Sequence, residues 1–260
     1  MIAPTIDSVR RAPPRMTSRG AAPADCLIWR MACEIADGAV VATGVASPLA
    51  VLAIALARAS HAPRLTYLSC VGSLNPTVSR LLGSSEDLAY LAGRSAEVSI
   101  PDLFDHARRG RIDTIFFGAV EVDGDGRTNL SAIGPLERPA VKFPGVAGAC
   151  TLRRWARHPV LVVPRQSRRA LVARVAVRST EDTERRTRLL TDLATLSVGP
   201  PGAVVEAIAP GTSLDELRAR TGFAVALADS LAVLPDPPQH AIDTLAALDP
   251  AGFRGELVGG

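Results

Sequence analysis

Lysine is almost absent from this chain: Lys142 stands alone against twenty-eight arginines. The formal net charge of +3 sets up no field that would mark a nucleic-acid partner, so none is expected. The arginine bias, with its excess of Ala and Pro, reads as the coding preference of a GC-rich genome. Cysteine is scarce and unpaired, since Cys26, Cys33, Cys70 and Cys150 make no CxxC pair and no Cys/His cluster with metal spacing. That excludes a zinc module, and no metal is expected; the thiols read as small apolar residues in a reducing cytoplasm. No hydrophobic run is long enough to cross a bilayer, because the most apolar stretch, residues 39–56, is interrupted by Gly44, Ser47 and Pro48. Residues 1–24 carry arginines but no apolar h-region, which argues against a signal peptide and for a disordered leader. There is no GxSxG elbow, and His61, His106, His158 and His240 are scattered without metal-type pairing. A soluble, cytoplasmic protein with no membrane partner is the expectation.

The 260 residues, 47% of them hydrophobic, can bury one sizeable core, so residues 25–260 are read as a single domain. Apolar residues at helical spacing predict a helix over 26–37, stopped by Asp37-Gly38. A short β-rich run at 39–45, then Ser47 as N-cap and Pro48 at the first helical position, marks a βα unit whose helix ends near Ser60. Strands are expected at 64–70, 112–120, 158–164, 169–179, 189–198, 203–209 and 223–228, and helices at 102–110, 214–222 and, ended by Asp249-Pro250, 240–249. The continuous apolarity of 112–120 suits a strand buried on both faces of a parallel sheet. The predicted class is therefore α/β, an open, largely parallel layered sheet with flanking helices.

Polar punctuation concentrates between Phe116 and Cys150. Two Asp-Gly pairs between β runs predict a hairpin with left-handed glycines at Gly124 and Gly126. A calcium loop is excluded, because its sixth position is not glycine and its twelfth is not Glu. Asn129 and Ser131 continue the polar pattern and invite a substrate surface, and the loop Gly145-Val146-Ala147-Gly148 can bring backbone N–H groups close to a ligand oxygen. Cys70 ends a predicted strand, where α/β enzymes keep reactive groups, but no basic residue nearby in sequence would lower its pKa. The arginines at 165, 168, 169, 174 and 178 read as charged surface.

These motifs resemble a known family. FFGAVEVDGDGRTNLSAIG is similar to the GAxQVDxxGNxN region of family I CoA-transferase β subunits, with Gly118, Ala119, Val122, Asp123, Gly126 and Asn129 in matching places. PGVAGACTL, from Pro144, resembles the family's PGxGGAxDL loop, and likenesses at residues 191–194 and 210–223 extend the match to about residues 25–255. The stretch GPLERP at 134–139 resembles most the β-like subunit of ring-opening acyl-CoA hydrolases of bacterial steroid degradation. The resemblance implies an acyl-CoA substrate, coenzyme A as part of that substrate with no further cofactor, and an α-like partner subunit. Gly118, Ala119, Asn129, Ser131, Gly145, Val146, Ala147, Gly148 and Cys70 would then bind substrate. Departures bear on the chemistry. The family's nucleophilic glutamate is expected where this chain has Cys70 or Val71, its Gln becomes Glu121, and a loop glycine becomes Ala147. Hydrolysis or ring opening is therefore expected over CoA transfer, with Glu121 as a candidate general base. Transfer with the glutamate on the partner, or a catalytically silent scaffold subunit, are the alternatives.

Overall fold

A computed structural model describes residues 21–143, 145–180 and 185–259; most of the expected leader lies outside them. The chain opens with α1 (Pro23–Cys33), β1 (Val40–Thr43), α2 (Pro48–Ala59) and β2 (Thr66–Ser69). Two short strands follow, β3 (Ser73–Leu74) and β4 (Ala96–Glu97), with a 3-10 turn at Leu88–Leu91 between them. Helix α3 (Ile100–Arg108) leads to β5 (Thr114–Gly118), then to two small hairpins, β6 (Glu121–Val122) with β7 (Thr128–Asn129) and β8 (Ala132–Ile133) with β9 (Val141–Lys142). Helix α4 (Ala149–Trp155) precedes β10 (His158–Val163), β11 (Thr187–Thr191), β12 (Ala194–Val198) and β13 (Ala203–Ile208). Helix α5 (Leu214–Ala219), β14 (Val225–Val233), α6 (Gln239–Leu248) and α7 (Phe253–Gly259) complete it. No helix among the described residues is long and apolar enough to cross a membrane.

The main sheet runs β14-β13-β12-β11-β10-β5-β1-β2-β3-β4. It is parallel from β2 through β1, β5 and β10 to β11, turns antiparallel at β11-β12-β13 and at β2-β3-β4, and is parallel again at β13-β14. Successive residues of β5 point to opposite faces. Phe116 joins the core under α1, α2, α6 and α7, whereas Ile115 and Phe117 join the one under α3 and α4. All three are almost fully buried, each worth about 1.5–3 kcal/mol of transfer free energy, which is why this strand reads as uninterrupted apolar sequence.

Several local expectations change. Helix α1 starts at Pro23, inside the expected leader, and stops at Cys33. Helix α3 is capped by Ser99, which accepts from the Asp102 amide at 3.2 Å while Asp102 accepts from the Ser99 amide. Gly126 has φ +78, but Gly124 is not left-handed; its role is room, since a Cβ there would sit 3.3 Å from the Phe223 ring. The expected strand at 189–198 is a hairpin. The Thr191 hydroxyl accepts from the amides of Leu193 and Ala194, and the buried Arg30 guanidinium donates to the carbonyls of Thr191 and Ala194. Residues 169–179 are not a strand. Their strand-type pairing with the β6-β7 hairpin is limited to isolated bridges, Val122 with Leu171 and, just beyond, Thr128 with Thr180, so their β propensity finds no continuous partner.

Candidate functional site

From β1 the chain crosses through α2 to β2 on one side, while β5 lies on the other side of β1. The carboxyl ends of β1 and β5 therefore border the crevice where open α/β sheets place ligands. A cavity of about 360 Å³ occupies that place. Thr43 lines it from the end of β1, Gly44, Val45 and Ser47 from the loop that follows, Cys70 from just beyond β2, and Phe116, Phe117 and Gly118 from β5. Ile100, Leu103 and Phe104 of α3 close one wall, and Gly145, Val146, Ala147 and Gly148 with Ala149, Leu130 and Leu152 close another. Of the residues singled out from sequence, Cys70, Gly118 and the 145–148 loop are thus brought together.

The other four sit elsewhere. The Glu121 carboxylate accepts from the Asn129 side chain at 2.9 Å and the Ala176 amide at 2.8 Å, and is not among the residues lining the cavity. Asn129 is fully buried; it donates to the Ala132 carbonyl and accepts from the Ser131 amide at 3.0 Å. The Ser131 hydroxyl pairs with that of Ser179 at 2.7 Å, and Ala119 packs against the core under α3 and α4. This geometry makes Glu121 and Asn129 braces that hold the hairpin to residues 176–180. The hairpin reaches the cavity indirectly through Arg153 of α4, fully buried, which donates to the Gly126 carbonyl at 2.7 Å and to the hydroxyls of Thr180 and Thr187. Its guanidinium fixes α4, and hence the loop that enters α4.

That loop is tightly turned. Gly145 has φ +90 and Ala147 φ +40, and the Ala149 amide donates to the Val146 carbonyl at 2.6 Å. Gly148 has ordinary dihedrals but faces the Phe104 ring, 2.2 Å from where a Cβ would lie. Across the cavity, Ala46 is also left-handed at φ +53. Its amide donates to the Glu86 carboxylate at 2.5 Å, the Ser47 amide to the Ser85 hydroxyl at 2.9 Å, and Ser84 to the other Glu86 oxygen. Sequence reasoning missed this clasp, because Ser84, Ser85 and Glu86 fall in a Gly/Ser-rich stretch without periodicity. The Ser47 hydroxyl, expected to cap α2, instead donates to the Val45 carbonyl.

Cys70 is a neutral thiol. Burial pushes its pKa up, Thr43's hydroxyl pulls it back, and the nearby Glu86 charge raises it further; the thiol donates to the Ser85 carbonyl at 3.5 Å. Beneath it, Tyr67 is pushed up to about 12 by burial, with its hydroxyl 3.1 Å from that of Thr43. The wall therefore offers hydroxyls and a protonated thiol among apolar side chains, and no activated nucleophile at the strand end.

The chain is similar in sequence and fold to known proteins. The family profile described as coenzyme A transferase matches residues 27–219. One subunit of the 3-oxoadipate CoA-transferase of Pseudomonas knackmussii is 28% identical over 235 residues, covering 83% of this chain and 88% of that protein. The solved structure of the decarboxylase AibA/AibB superposes with a TM-score of 0.88 at 57% identity, covering 92% of this chain and 99% of that one. Forms of it with one cysteine replaced by Val, Asn, Ser or Ala match at 56% identity. IpdAB of Rhodococcus jostii RHA1 superposes with a TM-score of 0.76 at 21% identity, covering 92% of this chain and 99% of that one, a likeness of fold.

Proposed function

The chain belongs to the coenzyme A transferase family, and from that premise we propose that it is the β-like half of a two-subunit enzyme that removes carbon dioxide from an acyl-CoA. The observation that carries this reading is the 57% identity to the decarboxylase AibA/AibB over nearly the whole chain. The cavity supports it. A family member that transfers CoA needs a carboxylate nucleophile at the end of β2, and there this chain has Cys70, whose thiol burial keeps protonated. A cysteine of the decarboxylase has been replaced four ways, and the cysteine facing the cavity here is Cys70.

Decarboxylation asks for a different environment. The bond from the carboxyl carbon to the acyl chain breaks, CO2 leaves, and the electron pair passes into the acyl chain in conjugation with the thioester carbonyl. A proton from water then completes the product. The localised carboxylate charge spreads in that step, so a wall of Ile100, Leu103, Phe104, Phe117 and Leu152 favours the transition state over the ground state. Backbone N–H groups of the Gly145 to Gly148 loop, which lines the cavity, are the donors this reading assigns to the developing thioester oxyanion. Glu121, tied into the hairpin, serves as a positioning residue for that wall and not as the base.

The test is co-expression with the α-like partner and incubation with CoA esters of dicarboxylic acids. A product lighter by one CO2, with coenzyme A still esterified, is the expected result. Release of free CoA thiol would instead favour hydrolysis, and a hydroxylamine-trapped glutamyl thioester would favour transfer with the glutamate on the partner. Hydrolytic opening of a steroid-derived ring is the second reading, favoured by the resemblance at residues 134–139. That segment forms the tip joining β8 to β9, exposed at 135–138 and apart from the cavity lining, so it speaks less to the reaction than the cavity does.

A further inference from the structure

A second cavity, of about 150 Å³, lies on the other face of the sheet. Met31 of α1, Leu49 and Ala50 of α2, Val162 of β10 and Leu257 of α7 wall it. It shares Ser47, Phe116 and Gly118 with the first cavity, so the two meet over the carboxyl end of β5. Gly118 lies on the boundary they share. Its φ is outside the left-handed region, and a Cβ built on it meets nothing within 4 Å. Neither backbone conformation nor packing within the protein demands glycine there, and its missing side chain leaves clear space above the strand.

We infer that the second cavity receives the hydrocarbon end of the acyl group, passing over Gly118, while the thioester stays in the first cavity. The inference rests on the acyl-CoA reading above. The second cavity suits hydrocarbon alone, since its walls are apolar but for Ser47, whose hydroxyl is already engaged by the Val45 carbonyl at 3.1 Å. A pantetheine amide or a carboxylate placed there would lose hydration without gaining partners. A cavity of this volume with aliphatic and aromatic walls takes up a molecule the size of benzene, so the occupant is an alkyl group of about four to six carbons.

The test is calorimetric titration of the full chain, co-expressed with its partner subunit, with acetyl-CoA and with hexanoyl-CoA. Each buried methylene is worth about fourfold in affinity. Hexanoyl-CoA is therefore expected to bind wild type at least tenfold more tightly than acetyl-CoA. Filling the cavity from two separate elements, by Leu257→Trp on α7 and by Val162→Phe on β10, is expected to bring that ratio below about twofold. Circular dichroism and co-purification identify which variant is folded. A wild-type ratio near one overturns the inference, and so does a folded variant that keeps the tenfold preference. If the wild-type complex binds neither ester, the acyl-CoA reading itself has failed, and the inference falls with it.

Discussion

Two glycines three residues apart in the same loop are glycine for different reasons, and substitution separates them. At Gly148 the backbone would accept alanine, with φ −93 and ψ 2, but the new Cβ would lie 2.2 Å from Cζ of Phe104 and 3.0 and 3.2 Å from its two Cε atoms. The ring must retreat by roughly 1 Å to restore ordinary contact, an overpacking cost of about 1–3 kcal/mol. Both residues line the cavity, so a displaced ring changes its shape. At Gly145 a Cβ meets nothing within 4 Å, but φ is +90, so alanine costs about 1–2 kcal/mol of backbone strain wherever its neighbours move. A double-mutant cycle on urea unfolding distinguishes the two. Gly148→Ala is expected to couple to Phe104→Ala by about 1–3 kcal/mol, because removing the ring removes the clash, whereas Gly145→Ala and Phe104→Ala are expected to add within about 0.5 kcal/mol. The same Gly148→Ala chain, paired with its partner subunit, should bind CoA esters at least tenfold more weakly, with Phe104→Ala restoring most of the loss. If Gly148→Ala is as damaging without the Phe104 ring as with it, the packing account of this loop is wrong.

Three further outcomes are expected. Glu86→Ala removes the acceptor that holds Ala46 in its left-handed conformation and should cost about 1–2 kcal/mol in chemical denaturation; adding Ala46→Gly should recover part of it, and no recovery would show that the clasp does not act through that backbone. Cys70→Ser should keep catalytic turnover within about tenfold of wild type, because the thiol is protonated and is no nucleophile; a loss of several orders of magnitude would restore covalent chemistry to the strand end. Tyr67 has its pKa raised by burial from 10.0 to about 12, so between those values the unfolded chain has released a proton that the folded chain keeps. Its contribution is fully present below pH 10 and is lost as pH rises through 12. Tyr67→Phe should flatten that alkaline decline in an unfolding series, and an unchanged slope would contradict the burial argument.

The parallel centre of the fold is legible because its signals are local. Residues 112–120 advertise β5 by continuous apolarity, and Ser47-Pro48 marks the start of α2 even though the Ser47 side chain bonds elsewhere. What could not be read depends on contacts distant in sequence. The turn splitting β11 from β12 contains neither Gly nor Pro and is fixed by Arg30, some 160 residues away. Residues 169–179 have strand-like composition but no strand to join. For the site, family resemblance pointed to Cys70, Gly118 and the 145–148 loop, which the fold gathers around one cavity. It also pointed to Glu121 and Asn129, whose hydrogen bonds run to each other and to the backbone. The Glu86 clasp and the second cavity needed three-dimensional contact, since Leu257 reaches the latter from a C-terminal helix that the sequence did not suggest.

At its far margin the sheet ends on β14, nine residues long, with Leu227 and Val233 exposed. A strand of that length on the outside of a sheet ordinarily invites another chain to zip alongside. Here the match to β13 holds at Val225–Leu227 and again at Ala232–Val233, with the residues between thrown out of register around Asp229. An approaching strand would find at most three residues in line before meeting a carboxylate, too short a run to nucleate pairing. The irregularity thus serves as a terminator: it lets a ten-stranded sheet stop growing while its outermost strand remains in water.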